Sequence, residues 1–221
     1  AWQDAEANRG HFARVMAPLA GQTDLVVLPE MFTTGFTMKP EQYAEAASGP
    51  TRDWLRAQAR FLDAMVGGSV AVNDQARYYN RFLLATPEGA VYHYDKRHLF
   101  SIGGEHRHYC PGTRAQLVEW RGIRLCPQVC YDLRFPVFAR RRPGLDYDLV
   151  LYVASWPEPR REHWVTLLRA RAIENLAYCV GVNRIGDDPG HRYAGDSAVL
   201  DYMGRPLLEL GDQAGVATAV L

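Results

Sequence analysis

The sequence carries no surplus of charge. Lys plus Arg and Asp plus Glu both number 25 in 221 residues, so no net positive field exists to hold nucleic acid or an anionic membrane surface. No apolar run approaches the roughly 20 residues that span a bilayer, and the start lacks the basic, apolar and small-residue pattern of a secretory signal. Cysteine is scarce and irregularly spaced, at Cys110, Cys126, Cys130 and Cys179. Such spacing reads as reduced thiols of a cytoplasmic protein rather than a disulfide framework. Internal repeats, low-complexity tracts and flexible linkers are also missing. What is present, 48% hydrophobic and 23% charged residues, predicts one α/β domain over residues 1–221 with a substantial core. The chain opens almost at once in a helical pattern and ends at Val220-Leu221 on an apolar run resembling an unfinished strand. Both ends are therefore expected to be trimmed.

The order of the patterns predicts where polar groups are delivered. An amphipathic helix over 4–20, with Asp4 as N-cap, places Phe12, Val15, Met16 and Leu19 on one face. Residues 24–30 read as a buried strand closed by Pro29, which leaves Glu30 at its C-terminal end. Ligand sites of α/β sheets gather there, and no helix follows. The apolar loop Met31–Thr37 is placed to bury the carboxylate. Thr51 is expected to cap a helix over 52–63. Strands are expected at 65–73, 78–86 and 90–96, the last two as a hairpin through Pro87-Glu88-Gly89. Gly67-Gly68-Ser69-Val70-Ala71 only half matches a serine elbow and is set aside as strand. The strand over 90–96 delivers Lys96 at its end. A second hairpin pattern, 115–120 and 123–126, leads to Cys126-Pro127-Gln128-Val129-Cys130-Tyr131-Asp132-Leu133-Arg134-Phe135-Pro136. A helix is expected over 135–142, so Cys130 stands where strand gives way to helical turn. Further elements are expected at 149–154 (strand), 161–177 (helix), 178–183, 198–202 and 206–210 (strands).

Glu30, Lys96 and Cys130 are a carboxylate, an ammonium and a thiol, each at a strand end. A lone cysteine in such a chain is most often a small buried hydrophobe, a lone Glu a loop residue, a lone Lys a solvated one. Together they supply covalent hydrolysis of a carbonyl or nitrile. Cys130 would attack carbon and Glu30, its pKa raised by the apolar loop, would shuttle the proton. Lys96 and the backbone N–H of Tyr131 would stabilise the oxyanion.

On Leu28-Pro29-Glu30, Tyr94-Asp95-Lys96-Arg97-His98-Leu99-Phe100 and Cys130–Pro136, the sequence resembles the nitrilase, or carbon–nitrogen hydrolase, superfamily. The likeness extends to Ala154–Pro157, Arg171–Asn175 and Val182–Gly186, and so covers nearly the whole chain. It implies an α/β fold, a four-layer α-β-β-α sandwich, that commonly pairs into homodimers. It further implies Glu30 as general base, Lys96 as oxyanion stabiliser, Cys130 as nucleophile and Glu105 as a second glutamate orienting lysine and substrate, with no cofactor or metal. Pro29–Phe36 and the loop through Glu105-His106 look most like the ω-amidase branch, which hydrolyses the terminal amide of small 2-oxo dicarboxylic acid monoamides. Phe32 and Trp156 are candidate pocket walls. Arg134 is a candidate for a substrate carboxylate, or else a structural ion pair. Against the family pattern, an opening strand and a C-terminal segment are not visible.

Three rivals stand beside this. His106, His108 and Cys110 alternate, and in an extended segment would share a face suited to zinc. A silent binding protein on the same fold is conceivable, although all three chemical groups are intact. A nitrile, an N-carbamoyl compound, or acyl transfer in place of hydrolysis would serve the same triad.

Overall fold

The computed structural model describes residues 1–221, which fall into two compact units, Ala1–Arg114 and Ala115–Leu221. In the first, helix α1 (Ala5–Met16) starts on Asp4, whose side chain accepts the N–H of Ala7, and ends in a 3-10 turn, Ala17–Leu19. Strand β1 (Leu25–Val27), helix α2 (Pro40–Tyr43), strand β2 (Glu45–Ala46) and helix α3 (Pro50–Leu62) follow. Strands β3 (Met65–Asp74), β4 (Arg77–Ala85) and β5 (Val91–Asp95) complete a sheet in the order β1-β3-β4-β5, with β2 also on β3. β1 runs parallel to β3, and β3–β4–β5 is an antiparallel meander.

The alternation of a strand sorts the faces of this sheet. Val66, Val70 and Val72 join Met16, Leu55 and Leu62 in the helix-side core, whereas Ala71 packs on the other side with Met31 and Tyr109. Because β3 is buried on both faces over its first eight residues, it shows a continuous apolar run. Two expectations are corrected here. β1 is three residues long, not seven; Leu28 still donates to Gly67 O, but Pro29 has no N–H to continue the ladder. The cap of α3 is Gly49, with Pro50 in the first turn. Thr51 instead gives its N–H and hydroxyl to Glu45, which also binds Arg9.

The second unit contains β6 (Val118–Trp120), β7 (Ile123–Val129), α4 (Pro136–Ala139), β8 (Leu149–Ala154), α5 (Arg161–Asn175), β9 (Tyr178–Asn183), the pair β10 (Ile185–Asp187) and β11 (Arg192–Ala194), then β12 (Ala198–Leu200) and β13 (Pro206–Glu209). Its six-stranded sheet has the order β13-β12-β9-β8-β7-β6, parallel in the middle and antiparallel at both sides. All six residues of β8 are buried. α5 lies on β9, where a side chain at Gly181 would run into Leu168 and Trp164.

The helix expected over 135–142 shrinks to four residues. Tyr147 takes the carbonyl of Ala139 and Asn175 takes the N–H of Arg141, so tertiary bonds replace the helical ones. β10 and β11 were not anticipated. Their connection is built on Asp188, which accepts from the N–H groups of Gly190 and His191 and from the Tyr193 hydroxyl. Glu105–Arg107 forms a 3-10 turn, so the extended geometry on which a His106, His108, Cys110 metal site depended is not there. No helix is long and apolar enough to cross a membrane.

Candidate active site

In the first unit, the chain turns sharply after Glu30. Met31 adopts φ +44°, a conformation costly for a side-chain-bearing residue. It is held by bonds from Met31 N–H to Ser69 Oγ and from Phe32 N–H to Ser69 O. Ser69, set aside as a nucleophile, thus anchors the Glu30 turn. Lys96 extends β5 by one ladder bond, its N–H donating to Asn80 O, while its carbonyl accepts from Gly112 N–H. Glu105 enters from the loop, its carboxylate fixed by the N–H of Phe100 at 2.6 Å.

These three side chains converge. Lys96 Nζ donates to Glu30 Oε1 at 2.9 Å and to Glu105 Oε1 and Oε2 at 3.1 and 2.9 Å, with Glu30 1% exposed and the other two 0%. Burying ionised groups is tolerated only when they are paired and hydrogen-bonded, and here two carboxylates share one ammonium. Burial holds the Glu105 carboxyl above the ordinary range against the pull of Lys96, and the charge of Glu30 adds to the rise.

Sequence reasoning missed two members of this cluster. Asn80 Nδ2 donates to Glu30 Oε1 at 2.7 Å and to Glu105 Oε1 at 3.2 Å. The Phe36 ring stands 5.4 Å from Lys96 Nζ, a cation–π contact. The signal for Asn80 was the hairpin register, which sets it directly opposite Lys96. Phe32, expected at a pocket wall, is corrected. Its ring packs on Phe12 and Trp54 in the helix-side core, because one residue along the chain reverses the face.

In the second unit, β7 ends at Val129 and a 3-10 turn, Cys130–Arg134, begins at once. Cys130 has φ +46°, so the thiol stands on a strained corner between strand and turn. The corner is tied down on both sides of the cysteine. Asp132 Oδ2 accepts from Val129 N–H at 3.0 Å, and Arg171 grips Leu133 O through Nε and Nη2. Tyr131 follows in the same turn. Arg134 closes it, with its guanidinium 4.9 Å from the Trp156 ring, 6.0 Å from the Tyr131 ring, and Nη2 2.8 Å from His163 Nδ1. Its partners are rings and a histidine, not a carboxylate, so the structural ion-pair reading of Arg134 is set aside. Trp156 is buried, its backbone N–H held by Asn183 Oδ1 and its indole N–H by Arg160 O. The expected residues therefore sort into two sets, one around Lys96 and one around the Cys130 turn.

The carbon–nitrogen hydrolase family model matches residues 2–221. The chain belongs to the carbon–nitrogen hydrolase family. The ω-amidase YafV of Yersinia enterocolitica is 54% identical over 206 residues, which is 92% of this chain and 78% of that one. The 2-oxoglutaramate amidase of Bacillus subtilis is 35% identical over 199 residues, 89% of this chain and 77% of the relative. Among solved structures, XC1258 of Xanthomonas campestris, a CN-hydrolase superfamily protein with an arsenic adduct in its active site, superposes with a TM-score of 0.93 at 52% identity. It covers 96% of this chain and 83% of its own. The α/β fold of this hydrolase is thus that of the nitrilase superfamily.

Proposed function

We propose that this hydrolase is an ω-amidase that releases ammonia from small 2-oxo dicarboxylic acid monoamides through a Glu30–Lys96–Cys130 triad. The observation that carries the chemistry is the water-excluded cluster in which Lys96 is shared by Glu30 and Glu105. Such a cluster holds a base and a cation in fixed positions, which is what acyl transfer needs. Cys130 supplies the nucleophile. Its thiol proton passes to Glu30, the sulfur attacks the amide carbon, and the carbonyl pair moves onto oxygen. Lys96 and the N–H of Tyr131 stabilise that oxyanion. Glu30 returns the proton to nitrogen, the C–N bond breaks and ammonia leaves a thioester. Water, deprotonated by Glu30, then adds to the thioester carbon; the thiolate departs and takes the proton back. Glu105 orients Lys96. The sequence needs no cofactor, since nucleophile, base and cation are side chains.

Two findings support the 2-oxo acid substrate: the names borne by the relatives at 54% and 35% identity, and Arg134, a cation without a carboxylate partner near the Cys130 turn, suited to the substrate's carboxylate. Trp156 would serve by holding Arg134. Ammonia release from 2-oxoglutaramate and 2-oxosuccinamate, beside a simple nitrile, an N-carbamoyl amino acid and glutamine, tests this. Fast release from the 2-oxo amides alone is expected. Release confined to the nitrile or the carbamoyl compound would overturn the substrate and keep the triad. We further propose a cytoplasmic homodimer. Four free thiols suit a reducing compartment, and α5 and the turn after β12 expose Ile173, Leu176, Tyr202 and Met203.

A further inference from the structure

Two buried carboxylates share one ammonium, and a second donor group serves them both. Asn80 Nδ2 spends both its hydrogens on the glutamates, at 2.7 Å to Glu30 Oε1 and 3.2 Å to Glu105 Oε1. The carbonyl oxygen of the same amide is buried without a partner. Turning the amide over would give that oxygen a position, but would press it against both carboxylate oxygens. Its orientation is therefore dictated by the charges it faces, at the expense of an unmet acceptor. The backbone is committed as well. Asn80 O accepts the N–H of Lys96 at 2.9 Å, so one residue fixes the main chain of the lysine and the side chains of its two anionic partners.

We propose that Asn80 is a positioning residue that keeps Glu30 and Glu105 ionised and aligned around Lys96. This rests on the role given to Glu30 above. Lys96 and Asn80 both bond Glu30 Oε1, and two donors converging on one oxygen hold the carboxylate in a single rotamer. Donors to a carboxylate favour its charged form. Without Asn80, Lys96 would be the one donor left to both carboxylates among these four side chains, and the pair would bind a proton more readily. Tyr109 is a further ionisable group of this unit that feels the charges of the cluster. It points away, its hydroxyl donating to Thr37 O, and burial together with the charges of Glu105 and Glu30 keeps it protonated.

The test is a carbon-13 NMR titration of side-chain-labelled glutamate in the whole protein, with Glu30→Gln and Glu105→Gln to assign the buried signals, beside kcat/KM against pH. In Asn80→Ala the buried carboxyl titration should move up by about one pH unit, the acid limb of kcat/KM should follow it, and kcat should fall about tenfold or more. Asn80→Asp keeps size and shape but sets a third carboxylate against the pair, so the titration should rise further even if Asn80→Ala does not fold. Buried signals that titrate as in the wild type, in whichever variant folds, would overturn the proposal. A shifted titration in a protein that hydrolyses none of the five compounds would leave Asn80 its role and remove the ω-amidase assignment.

Discussion

Cys126, Cys130 and Cys179 are all buried, yet only Cys130 sits on a corner with φ +46°. The other two lie within β7 and β9. Burial pushes the Cys126 thiol up to about 12 and that of Cys179 above its ordinary value, so both stay protonated and unreactive at neutral pH. Brief iodoacetamide treatment at pH 7.5 should accordingly label Cys130 ahead of the rest, read by peptide mass mapping, and Cys130→Ala should cut ammonia release by about 10³-fold or more without changing the melting temperature. Equal labelling of all four cysteines would count against an activated thiol. Lys96 offers a second measurement. Lys96→Met removes the ammonium that two buried carboxylates share, a loss of roughly 3–5 kcal/mol in urea titration at neutral pH. Glu105 already has a raised pKa, so the folded state holds its proton more tightly than the unfolded chain, and stability from this group falls as pH rises above the ordinary carboxylate value. Removing Lys96 widens that window, so the deficit of Lys96→Met should shrink as the pH is lowered toward about 4.5. At this scale Glu30, Lys96 and Cys130 were legible, because polar groups closing apolar runs stand out. Asn80, Phe36 and the true place of Phe32 were not, because each depends on which face of a strand or turn a residue meets.

Elements that the core dictates were the readable ones. β3, β4, β8 and β9 fall within about a residue of expectation because burial writes itself as apolar runs. The short pieces were lost where side chains compete for the backbone, as at Ala139 and Arg141, or where an aspartate builds the turn, as at Asp188. One backbone contact of this kind bears directly on the site. Gly112 donates to Lys96 O, and a Cβ on it would fall against the carbonyl oxygen of Asp95, one residue before the lysine. Asp95 is paired with Arg81 in the sheet and its side chain is tied to the Arg81 guanidinium, so its backbone has little room to yield. Gly112→Ala should therefore cost roughly 2 kcal/mol, about 4–8 °C in melting temperature, and lower kcat by displacing Lys96. Gly190→Ala is the comparison. Its nearest neighbour would be Asp188 Oδ1 at an ordinary 3.7 Å, so stability and turnover should both stay near wild type. If the two variants behave alike in scanning calorimetry and ammonia release, the contact at Asp95 does not fix the lysine.

For the molecule as a whole, the balance of 25 acidic and 25 basic side chains gives no electrostatic barrier to self-association, and the proposed homodimer rests on one apolar surface of the second unit. Ile173 and Leu176 are 54% and 67% exposed at the end of α5, and Met203 is 56% exposed in the turn after β12. The neighbouring Gly204 would bring a Cβ within 2.8 Å of the Ile173 side chain, so these residues form one patch rather than scattered positions. Leu176 adds a separate argument. It caps α5 in the left-handed region, φ 47° and ψ 48°, where glycine or asparagine is the usual choice. A leucine there bears the conformational cost with its side chain exposed, which fits the proposed homodimer, in which a second copy would cover it. Light scattering behind gel filtration should give twice the chain mass at micromolar concentration, and Ile173→Glu with Met203→Glu should halve it. Ammonia release per chain should survive the change, since every residue assigned to the triad and its supports lies in a single chain. A wild-type monomer would leave the patch to some other partner. A monomeric variant with lost activity would mean that the second copy orders the Cys130 turn, whose carbonyl at Leu133 is gripped by Arg171 from the same helix.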